Sequence, residues 1–160
     1  MINYFELFDI PVSFVVDASM VAKKYIQLQK QYHPDFFTQQ DDDAKQMAEE
    51  KSALLNKAYT IFKNEDATIK YVLQLKGLLT DDEKYQLPNH FLMEMMELNE
   101  ELNSQSSKII IELQINMYKQ VQAIVETTSF NTITHTQLLA VKEYYFKKKY
   151  LQRILDRLEG

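Results

Sequence analysis

Apolar positions return every three to four residues through most of the chain, the period of a helix with one buried face. A short apolar piece comes first: Tyr4, Phe5, Leu7, Phe8 and Ile10, stopped by Pro11. Asp17 has the character of an N-cap, its carboxylate placed to accept from the first backbone N–H groups. The period then predicts a helix over 18–32. Val21, Tyr25, Leu28 and Tyr32 line one stripe, and Lys23, Lys24, Gln27, Lys30 and Gln31 lie on the other side. Pro34 ends it, because proline disfavours α conformation at the residue before it. The acidic run Asp41-Asp42-Asp43 suits the positive end of a second long helix over 43–63. Its inward positions are read as Ala44, Met47, Ala48, Leu54, Leu55, Ala58, Tyr59, Ile61 and Phe62. A shorter helix follows over 67–76, with Gly77 as its C′ stop.

Residues 78–90 are polar, contain Pro88 and read as a linker. Beyond them a helix is predicted over 91–102, with a break or bend near Asn103-Ser104, and its continuation over 109–126. A loop over 127–131 precedes the last helix, over 134–158. The organisation expected is all-α: one unit over 1–77, a linker over 78–90 and a second unit over 91–160. There is no internal repeat.

Composition agrees and narrows the chemistry. With 2 Gly and 3 Pro in 160 residues, the tight turns of a sheet protein are not available. Hydrophobic residues at 46% suffice for a real core. The absence of Cys excludes disulfides, thiolate metal sites, Cys-ligated clusters and Cys nucleophiles. The net charge of −5 argues against nucleic acid as a partner. No run of eighteen apolar residues exists to span a membrane, and the first residues lack the basic region of a signal peptide. The expectation is a cytoplasmic protein with no membrane partner, no metal and no cofactor of its own.

One short motif stands out. His33-Pro34-Asp35 lies between two amphipathic helices, preceded by Tyr32 and followed by Phe36-Phe37. By itself it reads as a helix stop. With the basic helix before it, the long helix after it and the short aromatic segment upstream, the arrangement resembles the J domain of DnaJ-type co-chaperones. That resemblance implies docking on a DnaK-type ATPase chaperone. The ATPase-triggering contact maps to His33, Pro34 and Asp35, and the docking face to Lys23, Lys24 and Lys30. Charge supports this: residues 18–32 hold three Lys and no acid. A basic face on an acidic chain suits an acidic partner and raises its rate of encounter. Tyr25 is expected to pack into the core.

The Gly/Phe segment and Cys-rich zinc region of DnaJ itself are both missing. Several stretches instead resemble the HscB family of iron–sulfur co-chaperones: Asn3-Tyr4-Phe5-Glu6-Leu7-Phe8, Leu28 through Phe37, Leu55-Asn56-Lys57-Ala58-Tyr59 and Tyr71-Val72-Leu73-Gln74-Leu75-Lys76-Gly77. The most specific is Phe91-Leu92-Met93-Glu94-Met95-Met96-Glu97-Leu98-Asn99-Glu100-Glu101-Leu102, similar to the family's segment for an IscU-type scaffold. The resemblance covers essentially the whole chain. It implies a J domain, a helical hairpin with short flanking helices, followed by a C-terminal three-helix bundle. It maps the scaffold contact to Leu92, Met93, Met96, Glu97 and Glu100, with an aromatic residue of the last helix. Tyr150 fits that place best and Phe146 is the other candidate. Asn99 stands where many relatives carry a basic residue.

On a helix Leu92, Met96 and Asn99 share a face, with Met93, Glu97 and Glu100 beside it. An apolar patch with flexible Met and an acidic rim suits a protein surface, although Leu and Met at this spacing also suit a core. Residues 81–102 carry seven acids and one Lys; residues 142–157 carry six bases and two acids. The two strips are candidates to face each other. Thr68 and Asp66 depart from the family pattern and are expected to bear on packing between the two units.

Two rival classes are weaker. An enzyme needs convergent titratable groups, and no third group accompanies His33 and Asp35; His90 and His135 are expected to face solvent. A general J protein would need broader apolar surface than one helix face. The reading is a bridge between an HscA/DnaK-type ATPase and an IscU-type scaffold.

Overall fold

The long helices begin where a short polar side chain takes up early backbone amides. Asp17 accepts from Met20 N–H at 3.0 Å and Asp41 from Ala44 N–H at 2.7 Å. Thr134 and Gln137 form a reciprocal capping box at 3.1 and 2.9 Å. In the computed structural model, residues 3–33, 35 and 41–160 are described. Those residues form seven α-helices and no strand. Pro34, Phe36 and Phe37 lie outside the described residues. By its own contacts the chain divides into two units, Met1–Leu75 and Lys76–Gly160.

In the first unit, α1 (Tyr4–Leu7) is only one turn, too short to persist alone. Its aromatic residues hold it. Phe5 and Phe8 are buried against Phe62, at ring distances of 4.9 and 5.3 Å. Tyr4 stacks on Tyr71 at 4.8 Å, and the Tyr4 amide donates to the Tyr71 hydroxyl at 2.9 Å. Burial pushes the Tyr71 phenol above its ordinary value. Each fully buried Phe contributes roughly 1.5–3 kcal/mol, more than enough to fix one turn. The turn closes through Asp9 at φ 53°, a left-handed conformation that aspartate tolerates better than most residues.

The hairpin of α2 (Ala18–Tyr32) and α3 (Asp42–Phe62) follows. The inward stripe of α3 is Ala48, Ser52, Leu55, Ala58 and Phe62. Met47 is not on it. It is 70% exposed, because it lies one helical step off that stripe. The helix α4 (Glu65–Leu75) is started by Asn64, which accepts from Ala67 N–H at 2.9 Å, and Gly77 follows at φ 70° as the expected stop. Thr68 is fully buried. Its hydroxyl lies 3.0 Å from Ile61 O and 2.9 Å from Asn64 O. It therefore serves the α3–α4 turn inside the first unit.

The second unit begins with an extended stretch. Residues 78–90, read from their polar composition as a linker, lie against the bundle. Leu79 is buried, and Leu87 packs on the core. Glu83 pairs with Lys142 at 2.6 Å, and Tyr85 stacks on Phe146 at 4.6 Å and 5°. Burial raises the Tyr85 phenol, with Glu143 and Glu83 adding to the effect. Three helices complete the unit: α5 (Asn89–Glu100), α6 (Ser106–Val125) and α7 (His135–Glu159). The predicted break near Asn103 is a capped turn. The Asn103 amide donates to Ser106 Oγ at 2.9 Å, and the Asn103 side chain accepts from Gln105 N–H at 2.8 Å. Phe91, Met95, Ile110, Leu151, Ile154 and Leu155 form the core where the three helices meet.

Two candidate binding surfaces

The first surface is the outer side and C-terminal end of α2. Lys23 and Lys30 are exposed. Lys24 differs. Its ammonium donates to Phe8 O at 3.1 Å and Asp9 O at 2.8 Å, capping the carbonyl end of α1. Ile26, 54% exposed, lies between Lys23 and Lys30 on the same face. The sequence reading passed over it, although its spacing of three and four residues from the two lysines was visible. Tyr25 is half-buried, not core. Its ring stacks on Tyr59 at 4.3 Å, and its hydroxyl donates to Asn56. It lines an open groove of about 640 Å³ with Ile26, Gln29, Lys30, His33 and Asp35.

The His33 side chain is 47% exposed and that of Asp35 84%. The Asp35 amide donates to His33 Nδ1 at 3.2 Å, and Asp35 Oδ2 lies 3.5 Å from the same nitrogen. Both contacts cannot hold in one protonation state. In the neutral ring Nδ1 accepts from the amide and the proton resides on Nε2.

The second surface is the outward face of α5. Phe91 and Met95 point into the core, and Leu98 packs against it. Met93 and Met96 are 64% and 61% exposed. Glu97 and Glu100 are exposed beside them, and Leu92 and Asn99 are half-buried. Of the surface and core readings that the spacing left open, the exposure of Met93 and Met96 fits the surface one. From α7, Tyr150 is half-buried with its ring edge-on to Phe91 at 5.9 Å. Phe146 is covered on one face by Tyr85. The acidic and basic strips meet through Glu83 and Lys142. Elsewhere lysines lie over rings: Lys147 over Phe91 at 5.3 Å and Lys149 over Tyr145 at 6.0 Å.

His90 and His135 are exposed in the first turns of α5 and α7. Among the described residues no three His, Cys, Asp or Glu side chains are grouped to hold a metal ion. No described helix is long and apolar enough to cross a membrane.

Residues 87–159 match a family model described as the HSCB C-terminal oligomerisation domain. The co-chaperone protein HscB homolog of Vibrio vulnificus (strain CMCP6) is 30% identical over 166 residues, covering 98% of this chain and 95% of that one. The chain belongs to the HscB co-chaperone family. A human relative, the iron-sulfur cluster co-chaperone protein HscB, is 29% identical over 158 residues, with 98% and 67% covered. Two solved HscB structures share the fold at 28% identity. That of Vibrio cholerae superposes with a TM-score of 0.74, covering 99% of this chain and 96% of the other. The human one gives 0.78, with 99% and 81% covered. These HscB relatives are named as co-chaperones, not as enzymes.

Proposed function

We propose that this protein bridges two partners in iron–sulfur cluster assembly: an IscU-type scaffold held on α5 and α7, and an HscA/DnaK-type chaperone whose ATPase it stimulates. The observation that carries the reading is the outward face of α5. A helix whose inner side already fills the core has no structural need of exposed Met93 and Met96 rimmed by Glu97 and Glu100. Leu92 and Tyr150, half-buried at the same helices, complete the scaffold contact. His33, Pro34 and Asp35 are the trigger of ATP hydrolysis on the chaperone. Lys23 and Lys30 dock it, and Lys24 adds its charge while holding α1.

In this reading residues 1–77 act as the J domain and residues 91–160 as the scaffold-binding domain, with 78–90 leading into it. Binding both partners raises the concentration of scaffold at the chaperone's peptide site. Nucleotide binds the chaperone, the scaffold and not this protein carries the cluster, and ATP hydrolysis on the chaperone favours cluster maturation and transfer. The test is steady-state ATP hydrolysis by the cognate chaperone, with this protein, the scaffold, or both. More-than-additive stimulation is expected from the pair. No stimulation by this protein overturns the reading.

A further inference from the structure

Between α2 and α3 lies a polar cluster that hydropathy does not reveal. Gln29 Oε1 accepts from the Ser52 hydroxyl at 2.8 Å. Its Nε2 donates to Asn56 Oδ1 at 2.9 Å and, at 3.3 Å, to Ser52 O. The Tyr25 hydroxyl donates to the same Asn56 oxygen. Ser52 is only 9% exposed, in the middle of the inward stripe of α3. The main chain of Gln29 makes the other half of the connection. Its carbonyl accepts from His33 N–H at 2.8 Å, the last helical bond before the tripeptide. One residue thus grips α3 through its side chain and His33 through its backbone.

Stability alone does not require this arrangement. Only its Ser52 end is buried; Gln29 is half-buried and Asn56 exposed, and a hydrogen bond open to water adds little net stability because water can replace it. What directed bonds add is register, since dispersion contacts tolerate sliding and a carboxamide bonded on both sides does not. We infer that Gln29 is a positioning residue for the chaperone contact: with Ser52 and Asn56 it fixes the end of α2, and so the His33 ring, in one register against α3. The inference rests on His33 being the ATPase trigger.

The test uses the full chain and the cognate chaperone. Gln29→Met keeps the length of the side chain and removes its three side-chain bonds. Maximal ATPase stimulation is expected to fall roughly 3–10-fold, with the half-maximal concentration changing less than about twofold. Asn56→Asp retains the oxygen shared by Tyr25 and Gln29 and should keep near wild-type stimulation, whereas Asn56→Leu should behave like Gln29→Met. Circular dichroism and scaffold binding check that each variant is folded. A folded Gln29→Met with full stimulation overturns the inference. So does a loss confined to the half-maximal concentration, or an equal loss in Asn56→Asp and Asn56→Leu. If Gln29→Met does not fold, the Asn56 pair decides. Wild-type protein that fails to stimulate sinks the trigger reading itself, which the variants cannot.

Discussion

The outer faces of α2 and α5 are both exposed, yet they offer opposite chemistry. On α2 the reach comes from Lys23 and Lys30, hydrated charges on flexible stems around one aliphatic residue, Ile26. On α5 it comes from Met93 and Met96, polarizable and uncharged, with carboxylates set at the edge. A face of the first kind attracts from a distance and is weakened by salt. A face of the second kind acts on contact, by removing thioether and aliphatic surface from water. The proposed division of labour follows: transient docking on an enzyme that must cycle, and a persistent grip on cargo.

The sharpest way to break this contrast is to disable each side alone. His33→Gln should abolish ATPase stimulation, a loss of well over tenfold, and leave scaffold affinity unchanged by titration calorimetry. Alanines at Leu92, Met96 and Tyr150 together should weaken scaffold binding on the order of 100-fold, at the scale of interface hot spots, and spare stimulation without scaffold. If both sets impair the same activity equally in folded protein, the two-surface description fails. Next in size is ionic strength. Raising salt from about 0.05 to 0.3 M should weaken chaperone docking several-fold and scaffold binding less than about twofold. Equal sensitivity would erase the distinction drawn between the faces. Smallest is Glu83→Gln. The partly buried pair with Lys142 should contribute about 1 kcal/mol, read as a lower denaturation midpoint of the second unit with stimulation intact.

The sequence was most legible where local rules act alone. Asp17 and Thr134 mark helix starts, Gly77 marks a stop, and the predicted 18–32 span coincides with α2. The outward face of α5 was legible only as a choice between core and surface, because the period of Leu and Met is the same for either. The first unit shows two further limits. Met47 was read inward because it is apolar, and Ser52 was passed over because it is polar, yet their places are reversed. Hydropathy scores side chains one at a time, whereas the Gln29–Ser52 bonds depend on a partner 23 residues away. The packing of 78–90 was hidden for another reason. It hangs on single residues, Leu79, Glu83, Tyr85 and Leu87, with no period to betray them. Lys24 gives no sign in the sequence that its ammonium also holds the carbonyl end of α1.

The edge of the α5 patch has a colloidal consequence. Exposed thioethers tend to stick to whatever apolar surface they meet, including another copy of themselves. Glu94, Glu97, Glu100 and Glu101 are all exposed on α5 or at its end. Two such patches brought face to face would crowd like charges together, so the carboxylates act as gatekeepers that favour dispersion. The same fence is harmless to a partner whose own rim is basic, so solubility and selectivity are served by one set of side chains.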